Sequence, residues 1–190
     1  MRSRPQWSSY VLLFSCAVAA AVAVGWFVAR QSVSEPAESA NLKAAEDRGP
    51  LKRMAQLYFG DSQGRYLMAE QRVMNQPSDP VVFCRQLIQE LIAGPHQGES
   101  RTLPDDARIG AVYLMEENMA VVDFGAQSFA HLPGGVGAEL LAIYSVVDTL
   151  TLNVEAVRSV KILIGGREAA TLAGHVDISQ PFAANMLWVR

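Results

Sequence analysis

The 190-residue sequence has few of the residues that identify a function most directly. It contains only two cysteines, Cys16 and Cys84, which lie far apart in the chain, so a disulfide-rich scaffold is excluded. Charged residues make up 18% of the chain, a small share for a soluble domain, and the formal net charge is −3. No segment has a strong excess of positive charge, so the composition does not favour a nucleic-acid-binding protein. The length accommodates one domain of ordinary size.

Motifs for metal binding and catalysis are also missing. The three histidines are His96, His131 and His175, and no two of them have the i, i+4 spacing of a helical metal site. No serine lies in a Gly-x-Ser-x-Gly pattern, which marks the nucleophile of many hydrolases. Neither a metal nor another cofactor is predicted.

The remaining candidate chemical groups have simpler structural explanations. Cys84 lies among apolar residues at helical spacing, which predicts a buried thiol without reactivity. A hydrolase could use His175 with Asp177 or Asp123, but short polar residues beside glycine usually bond to the local backbone. The sequence therefore favours a protein that is not an enzyme.

The N-terminal part predicts a membrane anchor. Residues 11–29 contain no charge, and a helix of this length spans about 28 Å, close to the ~30 Å hydrocarbon core of a bilayer. Arg2 and Arg4 precede this run, which favours an N-terminus on the cytoplasmic side. We therefore expect a cytoplasmic N-terminus over residues 1–10, a transmembrane helix or uncleaved signal anchor over 11–29, a linker over 30–50, and a domain outside the cytoplasm over 51–190.

Two alternatives to the anchor remain open. A signal peptidase could cleave at small residues such as 19–21 (AAA) or 21–23 (AVA), although cleavage would leave an apolar N-terminus at 24–29. A lipoprotein would use Cys16, but the apolar stretch before that cysteine is short, and the apolar run continues well past it.

The rest of the chain predicts an α+β domain. Segments rich in β-forming residues predict strands at 54–60, 66–73, 108–115, 119–124 and 160–164. Apolar residues at helical spacing predict helices over 80–93 and 136–150. Asp79 and Pro80 form a start signal for the first helix, and Gly94 and Pro95 form its stop signal. The order ββ-α-ββ-α-β favours a small mixed sheet with two helices packed on one face.

Several of these segments together resemble the GerMN domain, a family named for a protein of sporulation and germination. The matching segments are residues 91–95 (LIAGP), 103–104 (LP), 120–124 (AVVDF), 143–151 (IYSVVDTLT), 160–166 (VKILIGG), 174–177 (GHVD) and 181–182 (PF). Each motif is short, but their order and spacing follow the family over roughly residues 55–182. Two positions depart from its pattern, since Asp148 stands in place of asparagine and Gly165 in place of aspartate.

The resemblance implies a single extracytoplasmic α+β module without catalysis, anchored to the cytoplasmic membrane and assembled with other proteins of the cell envelope. We expect the partner to be an envelope protein or a second copy of the chain. The alternative is a domain that binds the cell wall (peptidoglycan) or a small ligand. The candidate interaction residues are Gly94, Pro95, Arg101, Leu103, Pro104, Tyr144, Asp148 and His175.

Overall fold

The computed structural model describes residue 26 and residues 51–190. The predicted membrane span over residues 11–29 and the linker over 30–50 therefore lie outside the described residues, apart from Trp26. Within the part of the chain that is described, none of the helices combines the length and the apolar composition that crossing a membrane requires.

The described chain contains two hairpins, two helices, one further long strand and a short C-terminal strand. They are β1 (Lys52–Gly60), β2 (Leu67–Asn75), α1 (Pro80–Ala93), β3 (Ile109–Met115), β4 (Met119–Phe124), α2 (Val136–Asn153), β5 (Ser159–Ile164) and β6 (Phe182–Ala183), with 3-10 turns at Glu116–Asn118 and Met186–Trp188. The α+β class and the order predicted from the sequence are confirmed.

Helix α1 begins and ends where its capping residues predict. The side chain of Asp79 accepts a hydrogen bond from the Val81 N–H (2.8 Å), and Pro80 occupies the first turn. The helix ends at Gly94, which has a φ of 92° and donates its N–H to the carbonyls of Glu90 and Leu91. Its buried residues are Phe83, Cys84, Leu87, Ile88 and Leu91.

The strands form two sheets, whereas the sequence predicted one. The β1–β2 hairpin is a sheet of its own, and β3, β4, β5 and β6 form the other in that order. The reason lies at the free edge of β1, where α2 supplies hydrogen bonds that a further strand would otherwise make. Asn153 accepts the Gln56 N–H (2.9 Å) and donates to the Gln56 carbonyl (2.7 Å), and Thr149 Oγ1 accepts the Tyr58 N–H (3.2 Å).

Helix α2 also connects two parallel strands. β3 and β4 are antiparallel, whereas β4 and β5 run parallel, which requires a long crossover between them. The inner face of this sheet presents buried apolar residues, which share a core with both helices and the hairpin. These residues are Val112, Ala120, Val122, Phe124, Val160 and Ile162.

The C-terminal segment (residues 182–190) covers a second, smaller apolar cluster. Tyr58, Leu67 and Leu141 form its buried part. Trp188 and Val189 pack against them. The last residue is held to the hairpin, because the Arg190 N–H donates to the Leu67 carbonyl at 2.9 Å.

Candidate functional site

The loop that follows α1 is fastened to the end of that helix. The guanidinium of Arg101 donates to the carbonyl of Ile92 (2.6 Å) and to that of Ala93 (2.7 Å). Gly94 lies directly beneath it, and a Cβ at this position would come within 2.6 Å of the guanidinium carbon. Of the sequence-predicted residues in this loop, Leu103 is part of the core, whereas Pro95 and Pro104 are partly buried. The structure therefore gives Arg101 and Gly94 a structural role in capping the helix.

We expect Arg101→Ala to lower the free energy of unfolding by about 1–2 kcal/mol, because two helix-terminal carbonyls lose a charged donor. Urea-induced unfolding of the variant and the parent measures this difference. Arg167→Ala is the matched control, since the Arg167 side chain is exposed and makes no hydrogen bond to any described residue. Equal losses in the two variants would contradict the capping role.

A buried ion-pair network lies next to this loop and was not predicted from the sequence. Arg72 on β2 contacts Glu70 (2.5 Å) and Glu90 (2.6 Å), and it donates to the Gly94 carbonyl at 2.7 Å. Glu70 also accepts the backbone N–H of His96 at 2.8 Å. Burial acts to raise the pKa of Glu70, but the bonds from Arg72 and from backbone N–H groups outweigh it, and the pKa is lowered. The network joins β2, α1 and the following loop.

His175 pairs with a carboxylate other than Asp177. Its Nδ1 lies 2.6 Å from Oε1 of Glu139, and Glu139 also accepts the backbone N–H groups of His175 and Val176. Glu139 is fully buried; burial acts to raise its pKa, but these hydrogen bonds outweigh it and the pKa is lowered. Asp177 instead accepts the Ser179 N–H at 2.8 Å.

The Glu139–His175 pair holds a turn against the start of α2. Among the described residues, His175 hydrogen-bonds to no serine, threonine or cysteine, so the pair does not form the nucleophile–histidine arrangement of a serine, threonine or cysteine hydrolase. Burial raises the pKa of the Cys84 thiol to about 12, so this cysteine is protonated at neutral pH. Within residues 51–190 and Trp26, no group of three metal-ligating side chains comes together.

Asp123 and Gly165 form part of a structural turn. The Asp123 carboxylate accepts the Gly166 N–H at 2.8 Å, a bond to a distant turn and not to the local backbone beside Gly125. Gly165 has a φ of 60°, and a Cβ there would lie 3.2 Å from the Cβ of Ala126. Aspartate, which the resemblance leads us to expect at this position, would therefore be strained and crowded in this chain.

Tyr144 and Asp148 hold the C-terminal segment onto α2. The Tyr144 ring stacks on Trp188 (centroids 6.2 Å apart) and meets the edge of Phe182. Asp148 accepts the Asn185 N–H at 3.0 Å through Oδ1, but its Oδ2 has no hydrogen-bond partner among the described residues. Asp148 is fully buried, and this burial raises its pKa. Both residues therefore have contacts inside the domain.

The largest exposed apolar side chains of the four-stranded sheet lie on the face opposite the core. Tyr113 and Met115 on the edge strand β3 are 54% and 53% exposed. They stand beside the partly buried Val121 and Met119 of β4 in the strand register. We call these four residues the outer sheet face. Glu116 and Glu117, in the turn that joins the two strands, are exposed beside it, and neither forms an ion pair with a described residue.

These features define a class of protein: a small α+β module whose polar groups mainly stabilise its own loops, with one apolar face left uncovered. A family model described as sporulation and spore germination (Germane) matches residues 56–170, which is more than half of the chain. The chain therefore belongs to the Germane family, which contains the GerMN domain.

Solved structures show the same fold at low sequence identity. The tandem GerMN domains of the sporulation protein GerM from Bacillus subtilis match with a TM-score of 0.57 and 22% identity, over 70% of this chain and 46% of that one. The first GerMN domain of the same protein gives 0.53 and 22%, over 69% and 97%. A Clostridium perfringens protein described as a lipoprotein gives 0.51 and 21%, over 71% and 91%. No curated protein matches the chain.

Proposed function

We propose that this chain is a membrane-anchored, extracytoplasmic module of the cell envelope that acts by binding another protein and not as an enzyme. The observation that carries the proposal is the outer sheet face, where Tyr113 and Met115 remain exposed on an edge strand. Neighbouring apolar side chains that form one exposed patch on a folded domain mark a place where another protein can bind. The uncharged run over residues 11–29 supports the anchor, and the names of the similar structures, a sporulation protein and a lipoprotein, support the envelope location.

The charge beside this face indicates the kind of partner. Glu116 and Glu117 add two carboxylates next to Met115 that form no ion pair with a described residue, so a partner with an apolar patch and neighbouring basic side chains fits this face best. A second copy would place like charges close together. Glu117 has a φ of 61°, a conformation that glycine or asparagine adopts more easily. A glutamate at this position costs stability, which is consistent with a role in binding.

Photo-crosslinking in cells tests the proposal. A photoreactive phenylalanine analogue replaces Tyr113 in the full-length chain, and the same analogue replaces Gln63, an exposed turn residue of the first hairpin, as the control. We expect a discrete product with one envelope protein from position 113 and none from position 63. Glu117→Asn, which removes the charge and tolerates the same backbone conformation, is expected to reduce the yield several-fold.

Three outcomes would overturn parts of this proposal. Absence of a protein product from position 113, with the full-length chain present and exported, would remove the interaction role. A product with a second copy alone would replace the envelope partner by self-association. An unchanged yield with Glu117→Asn would remove the basic partner surface.

A further inference from the structure

A cleft with a volume of about 500 Å³ lies where four parts of the domain meet: the start of β1, the β2–α1 connection, the β3–β4 turn and the α2–β5 connection. Its lining combines basic and apolar side chains. Arg53 and Arg158 supply the positive charge, Glu155 supplies one negative charge, and Pro77, Phe83 and Ala156 supply apolar surface. None of these is among the residues predicted from the sequence to form an interaction site.

The two arginines differ from most basic residues of the domain, which are already engaged. Arg72, Arg85, Arg101 and Lys161 donate hydrogen bonds from their side chains, and the guanidinium groups of Arg65 and Arg190 lie over the Tyr66 ring. The side chains of Arg53 and Arg158 form no ion pair, hydrogen bond or ring contact with any described residue. Their charge is therefore available to a ligand, on a domain whose acidic residues outnumber its basic ones.

The backbone holds both arginines in place. Arg53 lies in β1 opposite Met74 of β2. The Arg158 N–H donates to the Asn118 carbonyl at 2.7 Å, and the Val157 N–H donates to the Val154 carbonyl at 2.9 Å. A ligand that binds between the two guanidinium groups would not have to order the main chain that carries them, which reduces the entropic cost of binding.

The charge and lining of the cleft select one class of ligand. Two guanidinium groups and one carboxylate leave a single net positive charge, which one carboxylate neutralises. Guanidinium groups bind carboxylates through two parallel hydrogen bonds, and the apolar lining suits a small side chain next to that carboxylate. Inorganic phosphate has a larger negative charge, which the Glu155 carboxylate would repel more strongly, and it would leave the apolar lining of the cleft without a contact. We propose that this cleft binds the terminal carboxylate of a short peptide.

Such a carboxylate has two sources. One is the C-terminus of a protein, which consists of L-residues, and the other is a cell-wall stem peptide, which ends in D-residues. The probes are therefore N-acetyl-L-alanyl-L-alanine and its D,D counterpart, each compared with its C-terminal amide. Binding to the full-length chain in detergent is followed by saturation-transfer NMR, with inorganic phosphate as competitor. We expect one of the two acids to bind and both amides to fail, and the preferred configuration identifies the source of the peptide.

Variants separate this site from general charge attraction. Arg53→Gln and Arg158→Gln are each expected to weaken binding about tenfold or more, the effect of losing a charge-assisted hydrogen bond. Arg53→Lys should also weaken it, because lysine keeps the charge but loses the bidentate geometry. Glu155→Gln should strengthen it, and Arg167→Gln, outside the cleft, should leave it unchanged. Thermal unfolding confirms that each variant is folded.

The proposal is overturned if neither acid binds saturably at millimolar concentration, or if the amides bind as well as the acids. Equal weakening by Arg167→Gln and the cleft variants would show non-specific attraction. Efficient displacement by inorganic phosphate would assign the cleft to a different anion.

Discussion

Replacing Arg72 by methionine is expected to lower the free energy of unfolding by about 3–5 kcal/mol, because the change leaves a buried carboxylate without its partner. Glu70 is 3% exposed, and its contact with Arg72 is the only ion pair to a permanently charged side chain that it makes in the described chain. Methionine fills a similar volume, so the loss reports on charge more than on packing. Urea-induced unfolding at neutral pH measures the difference between the variant and the parent.

The dependence on pH distinguishes this explanation from a general loss of packing. In the parent, the lowered pKa of Glu70 stabilises the folded protein at pH values above 4.5, the ordinary pKa of a glutamate. This stabilisation is lost as the pH falls through the pKa of Glu70 in the folded state. In Arg72→Met, burial of Glu70 acts without the arginine, so its pKa rises and the variant loses stability as the pH increases. The difference between the two proteins should therefore shrink from pH 7 towards pH 4.

Two control variants complete the test. Arg65→Met removes an exposed arginine of the same hairpin whose guanidinium lies over the Tyr66 ring and forms no ion pair with a described residue, and it should change stability by less than about 1 kcal/mol. The double variant Arg72→Met with Glu70→Gln should recover part of the loss, because it removes the charge left unpaired. A double variant no more stable than Arg72→Met would contradict the electrostatic explanation.

Replacing Asp148 by asparagine is expected to raise the free energy of unfolding by about 1–3 kcal/mol at neutral pH. The Asp148 carboxylate is fully buried, has one hydrogen bond from Asn185, and has one oxygen without a partner in the described chain. Asparagine keeps the acceptor for Asn185 and removes the buried charge. It is also the residue that the family resemblance leads us to expect at this position.

The sign of the pH effect is opposite to that for Glu70. Burial raises the pKa of Asp148 above its ordinary value of 3.8, so its contribution to stability is greatest below that value and is lost as the pH rises through the folded-state pKa. The advantage of Asp148→Asn should therefore be small near pH 3 and reach its maximum by neutral pH. An advantage independent of pH would contradict the role of charge.

The pKa of Tyr58 provides a second measurement of the charge on Asp148. Burial raises the pKa of Tyr58, and the Asp148 carboxylate raises it further. Asp148→Asn should therefore lower the pKa of Tyr58, which the ultraviolet absorbance of tyrosinate follows in an alkaline titration. Asp105→Asn, at an exposed position, is the matched control and should leave both the stability and the tyrosine titration unchanged.

Local signals in the sequence were sufficient for most of the elements. Asp79, Pro80 and Gly94 determine where α1 begins and ends through hydrogen bonds within a few residues, so the predicted bounds agree with the structure. The prediction ended α2 at residue 150, but the helix continues to Asn153. That extension depends on bonds to β1, a strand almost a hundred residues earlier, and no local pattern contains such a contact.

The candidate site was harder to predict for the same reason. Glu139 is a lone acid in an apolar helix, and its partners are 36 and 37 residues further along the chain. Glu70 and Arg72 are two residues apart in a strand and therefore lie on the same face, which is a local sign that both point inwards. Their contacts with Glu90 and Gly94 join parts of the chain that no local pattern connects. The cleft between Arg53 and Arg158 likewise joins residues that lie more than a hundred positions apart in the sequence.

The parallel pairing of β4 with β5 has a consequence for how the chain acquires its structure. Residues 51–93 and the β3–β4 hairpin can form local contacts early, but one edge of β4 stays open until residue 164 has been synthesised. The apolar residues of α2 and of the C-terminal segment also cannot complete their packing before β5 has been synthesised. The domain therefore completes its fold only after β5 has been synthesised, and a product truncated before β5 would expose an unpaired, aggregation-prone strand.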